Sequence, residues 1–189
     1  MISAIVLAAG AGTRFGGTKQ LELVRGKTLV QHAVDAAADA GVGEIVVVLG
    51  HDADRVREAL DLPPIARVVV NVRYDQGQST SLAVGLRALG EASDAAIVLL
   101  ADQPGISADH VRALARMYAL RRTPAVRISF RDGPGPALLM RELWDEILGL
   151  EGDLGARALL DAHPELVEEV HVDEDVPTDV DLPEDLERA

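Results

Sequence analysis

Runs of consecutive apolar residues alternate along this chain with segments whose apolar positions recur every three to four residues. The runs ISAIVLA at 2–8, EIVVVLG at 44–50, ARVVVN at 66–71 and AAIVLLAD at 95–102 are rich in Val and Ile, as strands of a parallel sheet buried on both faces should be. Strands are predicted at 2–8, 44–49, 66–71, 95–101, 125–130 and 167–172. Helices are predicted at 28–41, 53–60, 80–90, 107–121, 141–149 and 154–162. Val30, Val34 and Ala37 fall on one helical face, as do Leu82, Leu86 and Leu89, and Val111, Leu114 and Tyr118. Thr28 and Ser107 stand where N-caps belong. Strand and helix alternating in this way predict an α/β fold, a Rossmann-like, mostly parallel twisted sheet with helices on both faces. In such a sheet the site is expected at the carboxyl ends of the strands.

The length of 189 residues and 48% hydrophobic content fit a single globular domain over 1–189. There are no cysteines, which excludes disulfides, thiolate metal sites and cysteine nucleophiles and fits a cytoplasmic location. The first strand begins directly after Met1, so no signal segment is expected, and no apolar stretch approaches membrane-spanning length. The net charge of −13 opposes a nucleic-acid partner. That charge is uneven: residues 161–189 carry eleven of the thirteen net negative charges, while the only two lysines, Lys19 and Lys27, lie near the first loop. An anionic ligand would therefore meet a locally positive mouth on an acidic protein.

That first loop holds the most specific chemistry. The strand at 2–8 runs into AGAGTRFGGTKQ. Glycines let backbone N–H groups approach an anion, and Arg14 and Lys19 add fixed positive charge. A dinucleotide fingerprint would need a third glycine where Phe15 stands and a helix opening at once, whereas helical periodicity starts about a dozen residues later; Asp52 alone imitates its ribose-binding acid. Gly26-Lys27-Thr28 copies the end of a P-loop, but Leu21 occupies its required glycine and no strand precedes it. At the end of the 95–101 run, Asp102 begins Asp102-Gln103-Pro104. A carboxylate there points into the crevice and, as a hard oxygen ligand, suits Mg²⁺ carrying phosphates, although an Asp opening a turn before Pro is also common.

The series LAAG-A-G-T-R at 7–14 followed by Lys19-Gln20 resembles the nucleotidyltransferases of the LAAGxGxRxxxxKQ type. Gly152-Asp153-Leu154-Gly155-Ala156-Arg157, the Asp102-Gln103-Pro104 segment and Asp179-Val180-Asp181-Leu182-Pro183-Glu184-Asp185 extend the resemblance, in order, to the molybdenum cofactor cytidylyltransferases and their MobA-like relatives. The resemblance implies a nucleotide-diphospho-sugar transferase-like fold and transfer of CMP from CTP, or a nucleotidyl group from another NTP, onto a molybdopterin-type phosphate acceptor. It implies Arg14, Lys19 and Asp102 as catalytic residues, and nucleotide contacts from Leu7, Ala8, Ala9, Gly10, Gly12, Thr13, Arg14, Lys19, Gly77, Ser79 and Ser81. It implies Mg²⁺ on Asp102 and on one acid of the 179–185 segment, Asp181 by the resemblance, with Asp179 the open alternative. Ala9, where guanylyl relatives tend to carry Gly, leans towards a pyrimidine base. In RYDQGQSTSLAVGL at 73–86 capping accounts for one hydroxyl, and the resemblance makes the rest a base-and-ribose loop.

Leu182 stands where the relatives carry Thr, and Gly135-Pro136 lacks the family's intervening His, which bears on the acceptor more than on the nucleotide. The erythritol-phosphate cytidylyltransferases share the first loop but need a late lysine, and none follows Lys27. Two other classes remain: a chaperone that binds the cofactor and hands it to an apo molybdoenzyme, and a Rossmann-type oxidoreductase. The five histidines show no metal-ligand spacing and, like Trp144, read as structural.

Overall fold

The computed structural model describes residues 1–152 and 154–189. Its strands are β1 (Ile2–Ala8), β2 (Leu23–Val24), β3 (Lys27–Thr28), β4 (Ile45–Leu49), β5 (Ala66–Val70), β6 (Ala95–Leu100), β7 (Ala125–Ser129), β8 (Pro134–Met140) and β9 (Val167–His171). Its helices are α1 (Leu29–Ala40), α2 (Ala53–Glu58), α3 (Gln78–Ala88), α4 (Ala108–Arg121), α5 (Trp144–Leu148) and α6 (Ala156–Ala162). Seven strands form one sheet in the order β5-β4-β1-β6-β8-β7-β9. The β5-β4-β1-β6 half is parallel, β8 runs antiparallel to both its neighbours, and β9 is parallel to β7.

The pleat sends alternate residues of each strand to opposite faces, so the sheet is buried on both. Val6, Val47 and Ile97 meet Val30 and Val34 of α1 and Val111 and Leu114 of α4. Ile5, Val46 and Val48 belong to the other cluster, with Leu82 and Leu86 of α3, Ile147 of α5 and Leu160 of α6. The all-apolar strand runs thus have their physical cause in two covering layers.

Two elements depart from the sequence expectation. Strand β8 was hidden by Gly133-Pro134-Gly135-Pro136, which reads as a loop. Its prolines lie at its start, beyond the β6 pairing that spans Ala137–Met140 and beside a register irregularity in β7; prolines are tolerated at such positions. The second is the hairpin β2–β3, turned by Arg25 (φ 51°) and Gly26 (φ 81°). Two consecutive left-handed residues match strand twist in a two-residue turn. The hairpin accounts for the late start of α1, whose Thr28 cap accepts from Gln31 N at 3.3 Å. A small cluster of Val24, Leu29 and Val180, with Phe15 and Leu186 against it, pins this hairpin to the C-terminal segment.

Glu44 shows how the bottom of the sheet is held. Its Oε2 accepts from Gly90 N and Ser93 Oγ, each at 3.1 Å, and Arg67 pairs with Oε1. Burial disfavours the charged form, but the Gly90, Arg67 and Ser93 contacts outweigh it and hold the carboxyl below its usual range. A depressed folded pKa stabilises above the unfolded value of 4.5 and is lost as pH falls through the folded one. Glu44→Gln is therefore expected to lower stability at pH 7 by about 1–2 kcal/mol, roughly 2–8 °C in Tm. The difference should shrink as pH falls below 4.5 and through the lowered folded pKa; a gap independent of pH would show that the charge is not the cause.

Candidate active site

The loop after β1 owes its shape to Gly12 and Gln20. Gly12 sits at φ +59°, and a Cβ there would lie 2.3 Å from the Gly17 carbonyl oxygen. Gly16 N donates to Gly12 O at 2.9 Å, closing the turn. Gln20, buried in the middle of the 3₁₀ turn Lys19–Leu21, donates from Nε2 to Ala8 O (3.2 Å) and Gly10 O (2.6 Å). Among the described residues, the N–H groups of residues 10–14 enter no backbone or side-chain hydrogen bond. They are unpaired donors, and Gly10, Gly12, Thr13 and Arg14 line the adjoining cleft, an arrangement suited to an anion.

The cleft measures about 380 Å³ and opens at the carboxyl ends of β1 and β6. Leu7, Ala8, Ala9, Gly10, Gly12, Thr13, Arg14, Lys19, Gly77, Ser81, Asp102 and Asp181 line it. Ser79 does not; it is buried, and its N–H donates to Gly152 O at 3.1 Å. The wall also contains Tyr74, Asp75 and Gln78, which the sequence reading passed over. Their only signal was proximity to Gly77, which adopts φ +109° before α3. The hydroxyls there divide their roles. Thr80 Oγ1 donates to Gly77 O at 2.8 Å and braces the turn. Buried Asn71 donates to both Thr80 Oγ1 (2.8 Å) and Ser81 Oγ (2.9 Å).

Lys19 is the hub. Its Nζ donates to Asp102 Oδ2, Asp181 Oδ1 and the Val180 carbonyl, each at 2.9 Å. Only 13% of its side chain is exposed. Burial opposes its charge, but the attraction of Asp102 and the hydrogen bonds to both carboxylates overcome that and raise its pKa. Arg14 is 79% exposed and stands 3.7 Å from the other oxygen of Asp181. The two cations are therefore joined through one carboxylate at the same mouth. Asp179 turns instead to Gln103, accepting from Nε2 at 2.7 Å, so it is Asp181 that faces Asp102 across Lys19.

Asp181 is held from behind. Val180 N donates to Asp102 O at 2.9 Å, drawing the C-terminal segment across the end of β6. Asp185 Oδ2 accepts from Asp181 N (3.0 Å) and Leu182 N (2.7 Å), while its Oδ1 accepts from Arg188. The Leu182 and Asp181 amides hold the Asp185 carboxyl below its usual range. Asp185→Ala is expected to reduce turnover by about tenfold or more, the usual effect of losing a residue that orients a site carboxylate. Asp185→Asn, which keeps one acceptor, should fall between. Steady-state rates with circular dichroism on the same samples decide it, and unchanged rates in both variants would remove Asp185 from the site.

Asp102 Oδ1 is buried and has no hydrogen-bond partner. An orphaned carboxylate oxygen in an oxygen-only donor set fits a hard divalent cation. Among the described residues no group of three or more potential ligand side chains exists. In Mg²⁺-type binding one or two carboxylates share the ion with substrate phosphates and water, and Asp102 and Asp181 are two carboxylates lining one cleft.

A second groove of about 370 Å³ adjoins the first and shares Leu7, Gln78 and Leu100 with it. Its walls are apolar, from Leu82, Val98, Ala137 and Leu160, with Pro134-Gly135-Pro136 at one side. Arg127 lies at its edge with Nη1 2.5 Å from Asp161 Oδ1 and Nη2 2.7 Å from Glu169 Oε1. The Gly152–Arg157 motif reaches this groove through Leu154, Gly155, Ala156 and Arg157, while Asp153 lies outside the described residues. Asp52 does not stand ready for a ribose: its carboxylate accepts from Thr18 and from Arg55 Nη1 at 2.8 Å. Trp144 is buried and donates to Leu139 O at 3.3 Å. Among the described residues no helix is long and apolar enough to cross a membrane.

Residues 4–167 match the family described as the MobA-like NTP transferase domain. The nicotine blue oxidoreductase of Paenarthrobacter nicotinovorans is 34% identical over 175 residues, covering 88% of this chain and 85% of that protein. The crystal structure of Rv0371c from Mycobacterium tuberculosis H37Rv superposes with a TM-score of 0.88 at 31% identity, covering 99% of this chain and 95% of that one. Rv0371c has also been solved in complex with manganese, with a TM-score of 0.84 and 31% identity over 99% of this chain and 96% of that one. A nucleotidyl transferase from Methanothermobacter superposes with a TM-score of 0.82 at 27% identity over 100% of this chain and 95% of that one.

Proposed function

This chain belongs to the MobA-like NTP transferase family, and we propose that it transfers CMP from CTP onto the terminal phosphate of a molybdopterin-type acceptor. The observation that carries the reading is the convergence of Arg14, Lys19, Asp102 and Asp181 beside a loop of free N–H groups. In the reaction an oxygen of the acceptor phosphate forms a bond to the α-phosphorus of the nucleotide. The bond from that phosphorus to the β-phosphate bridging oxygen breaks, and pyrophosphate leaves with the electron pair. The acceptor oxygen is already anionic near pH 7, so no general base is needed. The barrier is repulsion between anions, and positioning with charge neutralisation lowers it.

Within this reading the N–H groups of residues 10–14 hold the triphosphate. Arg14 and Lys19 stabilise charge on the α-phosphoryl oxygens and the departing pyrophosphate. Asp102 and Asp181 would hold Mg²⁺, which offsets phosphate charge when bound; the manganese complex of Rv0371c supports a divalent ion. Tyr74 and Gln78, on the same cleft wall, are available to contact the base. The second groove would take the acceptor, because it shares Leu7, Gln78 and Leu100 with the first and offers Leu82, Val98, Ala137 and Leu160 to a ring system. Pyrophosphate release measured with each NTP, Mg²⁺ and molybdopterin tests the reading. CTP-dependent release that requires molybdopterin is expected; turnover with another NTP or acceptor would reassign the substrates, and retained cofactor binding without turnover would favour the chaperone.

A second reading, oxidoreduction, is favoured by the name of the 34% identical relative. Against it stand Phe15 in the place of a third glycine, the hairpin between loop and helix, and an Asp52 already bonded to Thr18 and Arg55. Oxidation of NADH or NADPH by a quinonoid dye in the presence of the protein, without nucleotide transfer, would establish it.

A further inference from the structure

We infer that Lys19 and the divalent ion exchange places: the ammonium and the metal compete for the same carboxylate oxygens, and metal entry turns Lys19 out towards the phosphates. The inference rests on the reading that Asp102 and Asp181 hold the ion. Lys19 Nζ lies 2.9 Å from Asp102 Oδ2 and 2.9 Å from Asp181 Oδ1, which places it between the two carboxylates. The Val180 carbonyl closes a third side at 2.9 Å. An ion held by both carboxylates would compete with the ammonium that already stands between them. An ammonium and a divalent ion cannot share that space, because like charges a few ångströms apart in a partly buried site repel strongly. Asp102 Oδ1, buried and without a partner, offers an ion one oxygen that the ammonium does not satisfy.

The side chain is built to leave. Lysine is a compact charge on a flexible four-carbon stem, able to swing without moving backbone. The backbone at residue 19 stays anchored while it does so, through Lys19 N to Gly17 O at 2.9 Å and the neighbouring Gln20 bonds. Lys19 and the N–H groups of the first loop line one cleft. An ammonium expelled by the metal therefore arrives where the nucleotide phosphates would be. Metal binding and arming of the catalytic cation become a single event, and the protein without metal keeps its strongest cation neutralised by its own acids. Arg14, at 3.7 Å from Asp181 and largely exposed, does not sit between the carboxylates and is not displaced.

The chain has only two lysines, which makes the exchange directly readable. Competitive acylation with acetic anhydride, followed by mass spectrometry, should show Lys19 labelled slowly in chelated protein and severalfold faster with saturating Mn²⁺. Lys27, exposed and paired with Asp35, is the internal control and should not change. Separately, free Mn²⁺ read by electron paramagnetic resonance should show Lys19→Met binding the ion about tenfold more tightly than wild type. Arg14→Met should gain less than about threefold, as an exposed neighbour would. Lys19 labelling that stays constant or falls on adding Mn²⁺, equal gains in the two variants, or no Mn²⁺ binding at all would overturn the exchange. Exchange observed without CMP transfer would instead overturn the substrate reading and leave this one standing.

Discussion

Lys19→Ala should lower nucleotidyl transfer by about 10²–10³-fold, the cost of removing one preorganised charge from a developing oxyanion, or about 2.7–4 kcal/mol. The loss should appear in kcat rather than in KM, because the contact strengthens as charge moves to the leaving pyrophosphate. Arginine should not rescue it. In the metal-free protein the ammonium donates to three acceptors at 2.9 Å in a site that leaves 13% of the side chain exposed, and a planar guanidinium neither fits that space nor leaves it as freely. The folded state also loses a compensating charge, since Asp102 and Asp181 are left facing one another. The pH dependence has a definite sign. The pKa of Lys19 is raised above 10.5, so its stabilisation is complete below that value and disappears as pH rises through the folded pKa. The difference in Tm between wild type and Lys19→Ala is accordingly expected at pH 7 and should shrink in strongly alkaline solution. Turnover within threefold of wild type would remove Lys19 from the reaction.

Gly12→Ala carries the second large effect, by a different route. Its φ of +59° disfavours any side chain, and the added carbon would meet the Gly17 carbonyl oxygen at 2.3 Å. Backbone must move, and with it the turn closed by Gly16 N to Gly12 O. The loop lies outside both sheet-covering clusters, so the fold should survive. Tm should fall by only a few degrees, in keeping with about 1–2 kcal/mol of local strain. Nucleotide affinity should weaken by about ten- to a hundredfold, because N–H groups that no longer converge cannot share one anion. Calorimetric titration with CTP and a thermal melt on the same protein separate the two. Normal nucleotide affinity in this variant would show that the loop does not bind phosphate.

The readable parts of the molecule were those encoded locally. Strands β1, β4 and β6 are unbroken apolar runs because both faces of the sheet are covered, and α1 and α4 follow from spacing that puts Val30 with Val34 and Val111 with Leu114 on a single face. Strand β8 was not readable, because its opening prolines look like a loop unless the irregular β7 pairing beside them is known. Nor were Tyr74, Asp75 and Gln78, which reach the cleft only because the backbone reverses at Gly77 and α3 docks on the sheet. Ser79 shows the opposite failure. It shares the hydroxyl-rich segment with Ser81, yet two helical steps, about 200° of rotation, turn it away from the cleft and into the interior.

The sequence by itself determined the layered α/β fold, the glycine loop with its two cations and the acid at the end of β6. Each depends on neighbours within a few residues, through steric freedom, periodicity or position on a strand. Only the tertiary structure decided that Asp181, rather than Asp179, faces Asp102, and that Lys19 lies between the two acids. Those contacts join residues 162 and 83 positions apart, and they exist because the C-terminal segment is drawn over β6 by one backbone bond, from Val180 to Asp102, and locked there by Asp185. Separation of that length leaves no periodic trace in a chain; it is set by packing alone.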